Sequence, residues 1–170
     1  MIRKILLVLL VALIAIQFFH SKKNKTTDPQ PNYIGNTFSI PADVKSILAK
    51  ACNDCHSNNT RYPWYSNVQP FDWWMAGHIK KGKKGLNFDE YTNRSLRYQF
   101  KKMEDIAEQI KEKEMPLKPY LWIHRNAKLS ADERNKIIDW AASVQADLRS
   151  KYPIDSLIRK GPAKPQPGTP

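Results

Sequence analysis

The spacing of apolar residues predicts amphipathic helices over much of the chain. Apolar side chains recur every three or four positions in three segments: Val44, Ile47, Leu48 and Ala51; Leu96, Phe100, Met103, Ala107 and Ile110; and Ile137, Ala141, Val144 and Leu148. This spacing places each set on one face of a helix. Pro41 suits the first helical turn, Asn87 or Asp89 is a candidate cap for the second helix, and Ser130 with Glu133 forms a capping box before the third. No alternating pattern indicates a strand, so the predicted fold class is all-α.

The segments between these helices contain the prolines and most of the aromatic residues. A loop is predicted over residues 57–72 and a short helix over 73–80. Residues 114–120 contain Pro116 and Pro119, which disfavour regular helix. A proline-bounded segment of this kind can direct a side chain inward, toward a site.

The N-terminus has the pattern of a secretory signal. Arg3 and Lys4 precede an apolar run over residues 5–19, interrupted only by Gln17. The run is short for a full bilayer span and long for a signal-peptide core. Residues 1–20 are therefore predicted to be a signal-anchor helix or a cleaved signal peptide. Either places the rest of the chain on the periplasmic side of an inner membrane, anchored or released.

Composition changes divide the remainder of the chain. Residues 21–38 are polar and predict a linker, 39–150 a single domain, and 151–170 a basic tail. Within that tail, residues 161–170 are rich in proline and glycine and predict disorder.

The chain of 170 residues carries a net charge of +12. A basic surface attracts acidic proteins, anionic lipids or nucleic acid. Because the lysines are spread over several segments and the chain is predicted to be exported, nucleic-acid binding is not expected. A cluster formed by Lys80, Lys81, Lys83 and Lys84 is a candidate docking face for an acidic redox partner, or a solvated turn.

The chemistry is concentrated in the motif Cys52-Asn-Asp-Cys55-His56, which contains both cysteines of the chain. Two thiols three positions apart can reach the two vinyl groups of a haem, and the following histidine can bind the iron as proximal ligand. The motif predicts one covalent haem c per chain. Alternatives are a thiol redox pair or disulfide, and a zinc site completed by His78 and His124.

The second axial ligand is predicted to be Met115, in the proline-bounded segment, with His78 and His124 as alternatives. A thioether ligand favours ferrous iron and raises the reduction potential. Five aromatic residues are candidates for lining a haem crevice: Trp64, Trp73, Trp74, Tyr120 and Trp122.

The order of these features resembles class I cytochromes c, in which a helix ends in the attachment motif and a distal Met-Pro loop precedes a final helix. More closely, the chain resembles the haem-binding domain family of exported proteins. The matching stretches are ACNDCHSNNTRYPWYSNVQP, the WW-x-x-x-H region around His78, GLNFDEY, and EMPLKPYLWIHRNAKLSADERNKIIDWA. The resemblance implies a cytochrome c-like domain with thioether bonds at Cys52 and Cys55, His56 as proximal ligand and Met115 as distal ligand.

Three functional hypotheses follow. The first is an electron carrier tethered to the inner membrane by its N-terminal helix, with no substrate turnover. The second is a haem enzyme or sensor, peroxidase-like or gas-binding, whose distal site is open. The third is a haem-free zinc or disulfide module. Catalysis is disfavoured because no Ser-His-Asp or paired-carboxylate pattern is recognisable.

Overall fold

A computed structural model describes residues 1–159 of the chain. Its α-helices, in chain order, are α1 (Ile2–Ile16), α2 (Ala42–Ala51), α3 (Asn53–His56), α4 (Phe71–Gly85), α5 (Leu96–Lys111), α6 (Lys118–Ile123), α7 (Ala131–Lys151) and α8 (Ile154–Leu157). Short 3-10 turns lie at Ile34–Asn36, Trp64–Asn67 and Arg125–Ala127. Residues 1–159 contain no strand, only an isolated bridge between Asn32 and Glu90. The all-α prediction is confirmed.

The core forms where the three predicted apolar stripes meet. α5 packs against α7, α2 contacts α7, and α8 packs against α5. Buried residues of the stripes include Val44, Met103 and Val144, and Met103 is fully buried. Burying such side chains contributes about 1.5–3 kcal/mol each to folding. The packed stripes therefore form the frame that holds the turn containing the two cysteines.

The helix boundaries confirm one predicted cap and correct another. Ser130 and Glu133 form the capping box that starts α7. The cap of α5 is Ser95, whose side chain accepts from Tyr98 N, so the prediction of Asn87 or Asp89 was wrong. Those two side chains instead hold the preceding loop, each by a hydrogen bond to residue 58.

Two further elements are more helical than their sequences predict. α4 extends from Phe71 to Gly85, beyond the predicted 73–80. α6 starts at Lys118 with Pro119 at its second position, so the expectation that residues 114–120 lack helix is wrong for the last three. Proline in the first turn is tolerated because its missing N–H has no intrahelical partner there.

α1 contains no buried side chain. Within residues 1–159, no helix combines the length and apolar character needed to cross a bilayer. The signal-anchor assignment stays a prediction.

The segment after α1 follows the domain surface, held by hydrogen bonds; we call residues 17–26 the strap. Ser21 N donates to Asp72 Oδ2 (2.6 Å), Asn24 N donates to the Tyr62 hydroxyl (2.7 Å), and Thr26 N donates to Asn59 Oδ1 (3.1 Å). These contacts hold the backbone of the strap to the loop before α4 and to α4 itself.

Buried residues of the core occur on both sides of the predicted domain. Ile34 and Phe38, within the predicted linker, belong to the main core. Leu157 of α8, within the predicted tail, is 2% exposed in the same core. The disorder predicted for residues 161–170 lies outside the residues that the structure describes.

Candidate haem site

A cavity of about 530 Å³ lies between the turn containing the cysteines, α4, α5 and the segment that follows α5. Its volume is in the range of pockets that enclose a small molecule or cofactor. The lining is mainly apolar and includes Leu48, Ala51, Leu86, Phe88, Ile106, Ile110, Pro116, Leu117, Tyr120 and Ile137. Such walls exclude water from whatever the cavity encloses.

All three chemically active residues of the attachment motif line this cavity. α2 ends at Ala51 and the chain turns at Cys52, so the motif forms a separate turn, α3. Both Cys55 N (3.1 Å) and His56 N (3.0 Å) donate to Cys52 O. Residues three and four positions apart share a face of such a turn, which explains how Cys52, Cys55 and His56 reach one cavity.

The two thiols are held in their neutral form. Burial raises the pKa of Cys52 to about 12, and the pKa of Cys55 to about 11. A thiol redox pair needs a lowered pKa because the thiolate is the reactive species. This environment gives no support to the redox-pair alternative.

His56 is oriented by the backbone directly after α4. Its Nδ1 lies 3.0 Å from the carbonyl oxygen of Leu86. A carbonyl only accepts, so Nδ1 carries the proton and Nε2 retains its lone pair. Burial lowers the pKa of His56, opposed by hydrogen bonding to Leu86, and so favours neutral imidazole. A neutral ring fixed through one nitrogen is the usual arrangement of a metal-binding histidine.

Close packing between α3 and α4 depends on Gly82. A Cβ atom built there would lie 2.6 Å from the carbonyl oxygen of Cys55. Glycine is therefore required for α4 to approach the motif as closely as it does. No spacing rule identifies this residue from the sequence.

Asp54, inside the motif, is a buried anchor that the sequence analysis did not single out. Its carboxylate is reached by Arg61 N (3.0 Å), Arg61 Nε (3.2 Å) and the Tyr120 hydroxyl (2.8 Å). A buried carboxylate is tolerated when such donors compensate its desolvation. The network ties the motif to the following loop and to α6.

Met115 lines the same cavity as the attachment motif. It is half-buried and packs on the smaller core cluster formed by α2, α5 and α7. His78, on α4, also lines the cavity, and its Nδ1 lies 2.8 Å from Trp74 O. The structure therefore brings Met115 and His78 to the cavity as candidate distal ligands.

His124 lines an adjoining cavity of about 40 Å³ and not the larger one, although the two cavities share wall residues such as Cys55 and His78. Its Nε2 is 3.2 Å from the Tyr65 hydroxyl, its Nδ1 is 3.2 Å from Tyr120 O, and its ring stacks on Tyr120. Both nitrogens are occupied by hydrogen bonds.

The aromatic residues predicted to line the crevice are mostly placed differently. Tyr120 lines the large cavity and Trp74 the small one. Trp64 is 79% exposed, Trp122 75% and Trp73 43%, so the prediction was wrong for these three. They lie on the loop before α4, on α6 and on α4, and none of them lines either of the two cavities.

Charged residues reach the cavity from two helices. Lys81 of α4 and Lys102 of α5 both line it, and Lys102 pairs with Asp105 at 2.8 Å. Of the predicted basic cluster, Lys81 is thus adjacent to the cavity. Within residues 1–159, no group of three or more His, Cys, Asp or Glu side chains is placed to hold a metal ion. The zinc hypothesis gains no geometric support.

The residues around the cavity fit a haem. The walls are apolar, two thiols stand beside a histidine with a free Nε2, and a thioether is available in the same space. Lys81 and Lys102 are suitable partners for propionates.

Comparison with known proteins agrees with this chemistry. A family described as a haem-binding domain matches residues 11–143. The chain is similar to cytochrome c peroxidase Ccp of Escherichia coli (strain K12), with 23% identity over 155 residues, which is 89% of this chain and 33% of that protein. The chain thus spans about a third of the length of that relative. No solved structure matches the chain. Since the family match covers most of the sequence, the chain belongs to the haem-binding domain family.

Proposed function

We propose that this haem-binding protein carries one covalent haem c and transfers electrons. The observation that supports this most directly is the placement of Cys52, Cys55, His56 and Met115 around one apolar cavity. Each thiol would add across a vinyl group, its sulfur bonding to carbon and its hydrogen moving to the neighbouring carbon. The addition needs neither oxidant nor reductant.

The residues of the chain have distinct roles in this proposal. His56 Nε2 is the proximal ligand, oriented through the Nδ1 contact with Leu86. Met115 is the distal ligand, and its thioether favours the ferrous state. Lys81 and Lys102 neutralise propionates at the cavity wall. The bound group supplies an iron that alternates between the ferrous and ferric states.

If His56 and Met115 both held the iron, no ligand position would remain open, and this would favour electron transfer over turnover. The net charge of +12 suits an acidic redox partner. The proposed location is the periplasmic side of the inner membrane, where thioether attachment takes place outside the reducing cytoplasm.

A second candidate function is a peroxidase-like reaction at a displaceable distal position. His78 favours it, because a second histidine lines the same cavity. Similarity to a cytochrome c peroxidase adds to that case. In this alternative Met115 is absent from the iron or leaves it during turnover.

The test is to express the full chain with a c-type maturation system and to denature it. Haem that remains on the polypeptide supports covalent attachment, and its complete extraction would contradict it. Cys52→Ala and Cys55→Ala variants should each lose one thioether bond, which the pyridine haemochrome spectrum detects.

Axial ligation is tested separately on the ferric protein. Met115→Ala should abolish the weak far-red band of sulfur ligation. Met75→Ala is the matched control, because Met75 lines only the small cavity. An unchanged band in Met115→Ala would exclude this residue, and a spectral change in His78→Ala would then favour the peroxidase-like alternative.

A further inference from the structure

The domain carries an exposed apolar area that the haem cavity does not use. Its members lie on the loop before α4, the first turn of α4 and the end of α6. We call this set the aromatic surface: Trp64 (79% exposed), Phe71 (49%), Trp73 (43%), Trp74 (42%), Trp122 (75%) and Ile123 (53%). Indole rings this exposed are unusual for a side chain that buries 150–250 Å² when covered, by rough general figures.

Ring contacts through Tyr65 join two of these residues, Trp64 and Phe71, and bring them next to the end of α6. Tyr65 lies at the centre, with its ring centroid 6.0 Å from Trp64, 6.4 Å from Phe71 and 6.3 Å from His124. His124 directly follows Ile123 in the chain. The loop, α4 and α6 therefore present their apolar side chains side by side.

The aromatic surface is continuous with the apolar helix at the N-terminus. Trp73 Nε1 donates to the carbonyl oxygen of Phe19 at 2.9 Å, and Gln69 N donates to Gln17 Oε1 at 2.9 Å. These bonds hold the first residues of the strap, directly after α1, against the start of α4 and the residues before it. Because α1 buries none of its side chains, an uncovered apolar helix ends directly before the residues bonded to the aromatic surface.

The charges beside this area are positive. Lys118 and Arg125 flank Trp122 in the chain, and residues 115–128 contain no acidic side chain. Residues 60–84 contain one acidic residue, Asp72, which is buried and paired with Lys23. The exposed charge around the aromatic surface is thus complementary to anionic headgroups.

We propose that the aromatic surface rests in the headgroup region of an anionic lipid bilayer. Tryptophan is favoured there because its ring is apolar while its N–H stays hydrated. A bilayer covers α1 and the aromatic surface together, whereas a protein partner would have to match a bare apolar helix as well. The domain then lies against the membrane instead of extending from it, independently of the haem chemistry.

The test uses the full haem-loaded chain bound to vesicles of phosphatidylglycerol and phosphatidylethanolamine. Hydroxyl-radical footprinting with mass spectrometry reports the labelling rate of each aromatic residue. Tyr152 is the internal control, because it is 41% exposed and directly follows α7, outside the aromatic surface. We expect Trp64 and Trp122 to label more slowly than Tyr152, although the chain itself exposes them more. Faster labelling of both tryptophans than of Tyr152 would overturn the proposal and indicate a surface left for a protein partner.

A second measurement uses variants. Trp64→Ser combined with Trp122→Ser should raise the rate of transfer to acceptor vesicles by about tenfold or more, because two interfacial indoles are lost. Ile154→Ser combined with Ile158→Ser is the matched control, since both isoleucines are exposed at the C-terminal end. Equal transfer rates for the two double variants would contradict membrane docking. The haem absorbance of each variant verifies that the variant is folded. If a variant does not fold, footprinting of the unmodified chain is sufficient to test the proposal.

Discussion

Gly82 packs closely against the turn that contains the two cysteines, and Gly82→Ala tests this contact directly. The added Cβ would lie 2.6 Å from Cys55 O, 3.1 Å from Cys55 Cβ and 3.3 Å from Cys55 C. The first atom belongs to the backbone and cannot rotate away. To reach ordinary contact, α3 and α4 must separate by roughly 0.8 Å, which a packed interior resists.

The expected change in the stability of Gly82→Ala follows from two opposing contributions. Overpacking a well-packed site costs about 1–3 kcal/mol. Replacing glycine by alanine within a helix stabilises it by about 1 kcal/mol. Gly82→Ala should therefore range from neutral to about 2 kcal/mol less stable than the parent chain.

Gly77→Ala is the matched control because it lies in the same helix. A Cβ atom at Gly77 would meet no atom within 4 Å. It gains the helix contribution without the clash, so Gly82→Ala should be about 1–3 kcal/mol less stable than Gly77→Ala. Urea unfolding of the two haem-loaded variants, followed by circular dichroism, measures the difference. Equal stability would refute the close packing of α3 against α4.

Three further variants test other parts of the structure. Tyr120→Phe removes the hydroxyl that donates to Asp54. It should lower the free energy of unfolding, measured by thermal unfolding, by about 1.5–3 kcal/mol, as expected for a hydrogen bond to a charged group. Burial alone would raise the pKa of Asp72, but hydrogen bonds from Ser21 N and Lys23 outweigh it and lower that pKa. The carboxylate therefore stabilises the strap above about pH 4, and this contribution is lost as the pH falls through the lowered pKa. By hydrogen exchange, Asp72→Asn should loosen residues 17–26 at pH 6 and behave like the parent chain in stronger acid. Ser130→Ala removes half of the capping box of α7 and should lower the free energy of unfolding by about 1 kcal/mol.

Each of these variants has a control or a contradicting result. Tyr98→Phe removes a hydroxyl bonded to Gly85 O near the surface and should cost less than Tyr120→Phe. A strap that exchanges equally fast in Asp72→Asn and in the parent chain at pH 6 would show that Asp72 does not hold it. Ser150→Ala, in the last turn of α7, should change stability by less than about 0.5 kcal/mol. A loss as large as that of Ser130→Ala would remove the special role of the cap.

Local patterns predicted the helical frame because local interactions determine it. The apolar stripes of α2, α5 and α7 and the capping box at Ser130 depend on residues three or four positions apart. The attachment motif is equally local. Such features can be read from spacing alone, without knowledge of which helices touch.

The remaining parts of the site depend on contacts between distant residues. The carbonyl that orients His56 comes from Leu86, thirty positions away, and Asp54 meets Tyr120 across sixty-six positions. The Leu86 carbonyl has no sequence signature, because a backbone carbonyl belongs to every residue, and no local spacing relates Tyr120 to Asp54. The exposure of Trp64 and Trp122 also could not be predicted from the sequence. Their residue type suggested that they line a crevice, but the packing of the helices leaves them exposed.

For the proposed electron transfer, the strap affects how a redox partner would reach the cavity. If the predicted linker, residues 21–38, were a flexible chain, its eighteen residues would allow an r.m.s. separation of about 23 Å between its ends. The polar composition of this segment is equally compatible with a flexible linker and with the fixed strap. In the structure, hydrogen bonds to Asp72, Tyr62 and Asn59 fix the strap. With the strap in place, the cavity keeps one orientation relative to α1. In the proposed electron transfer, a productive encounter would then depend on diffusion of the partner to that fixed face, because the strap restricts rotation of the domain.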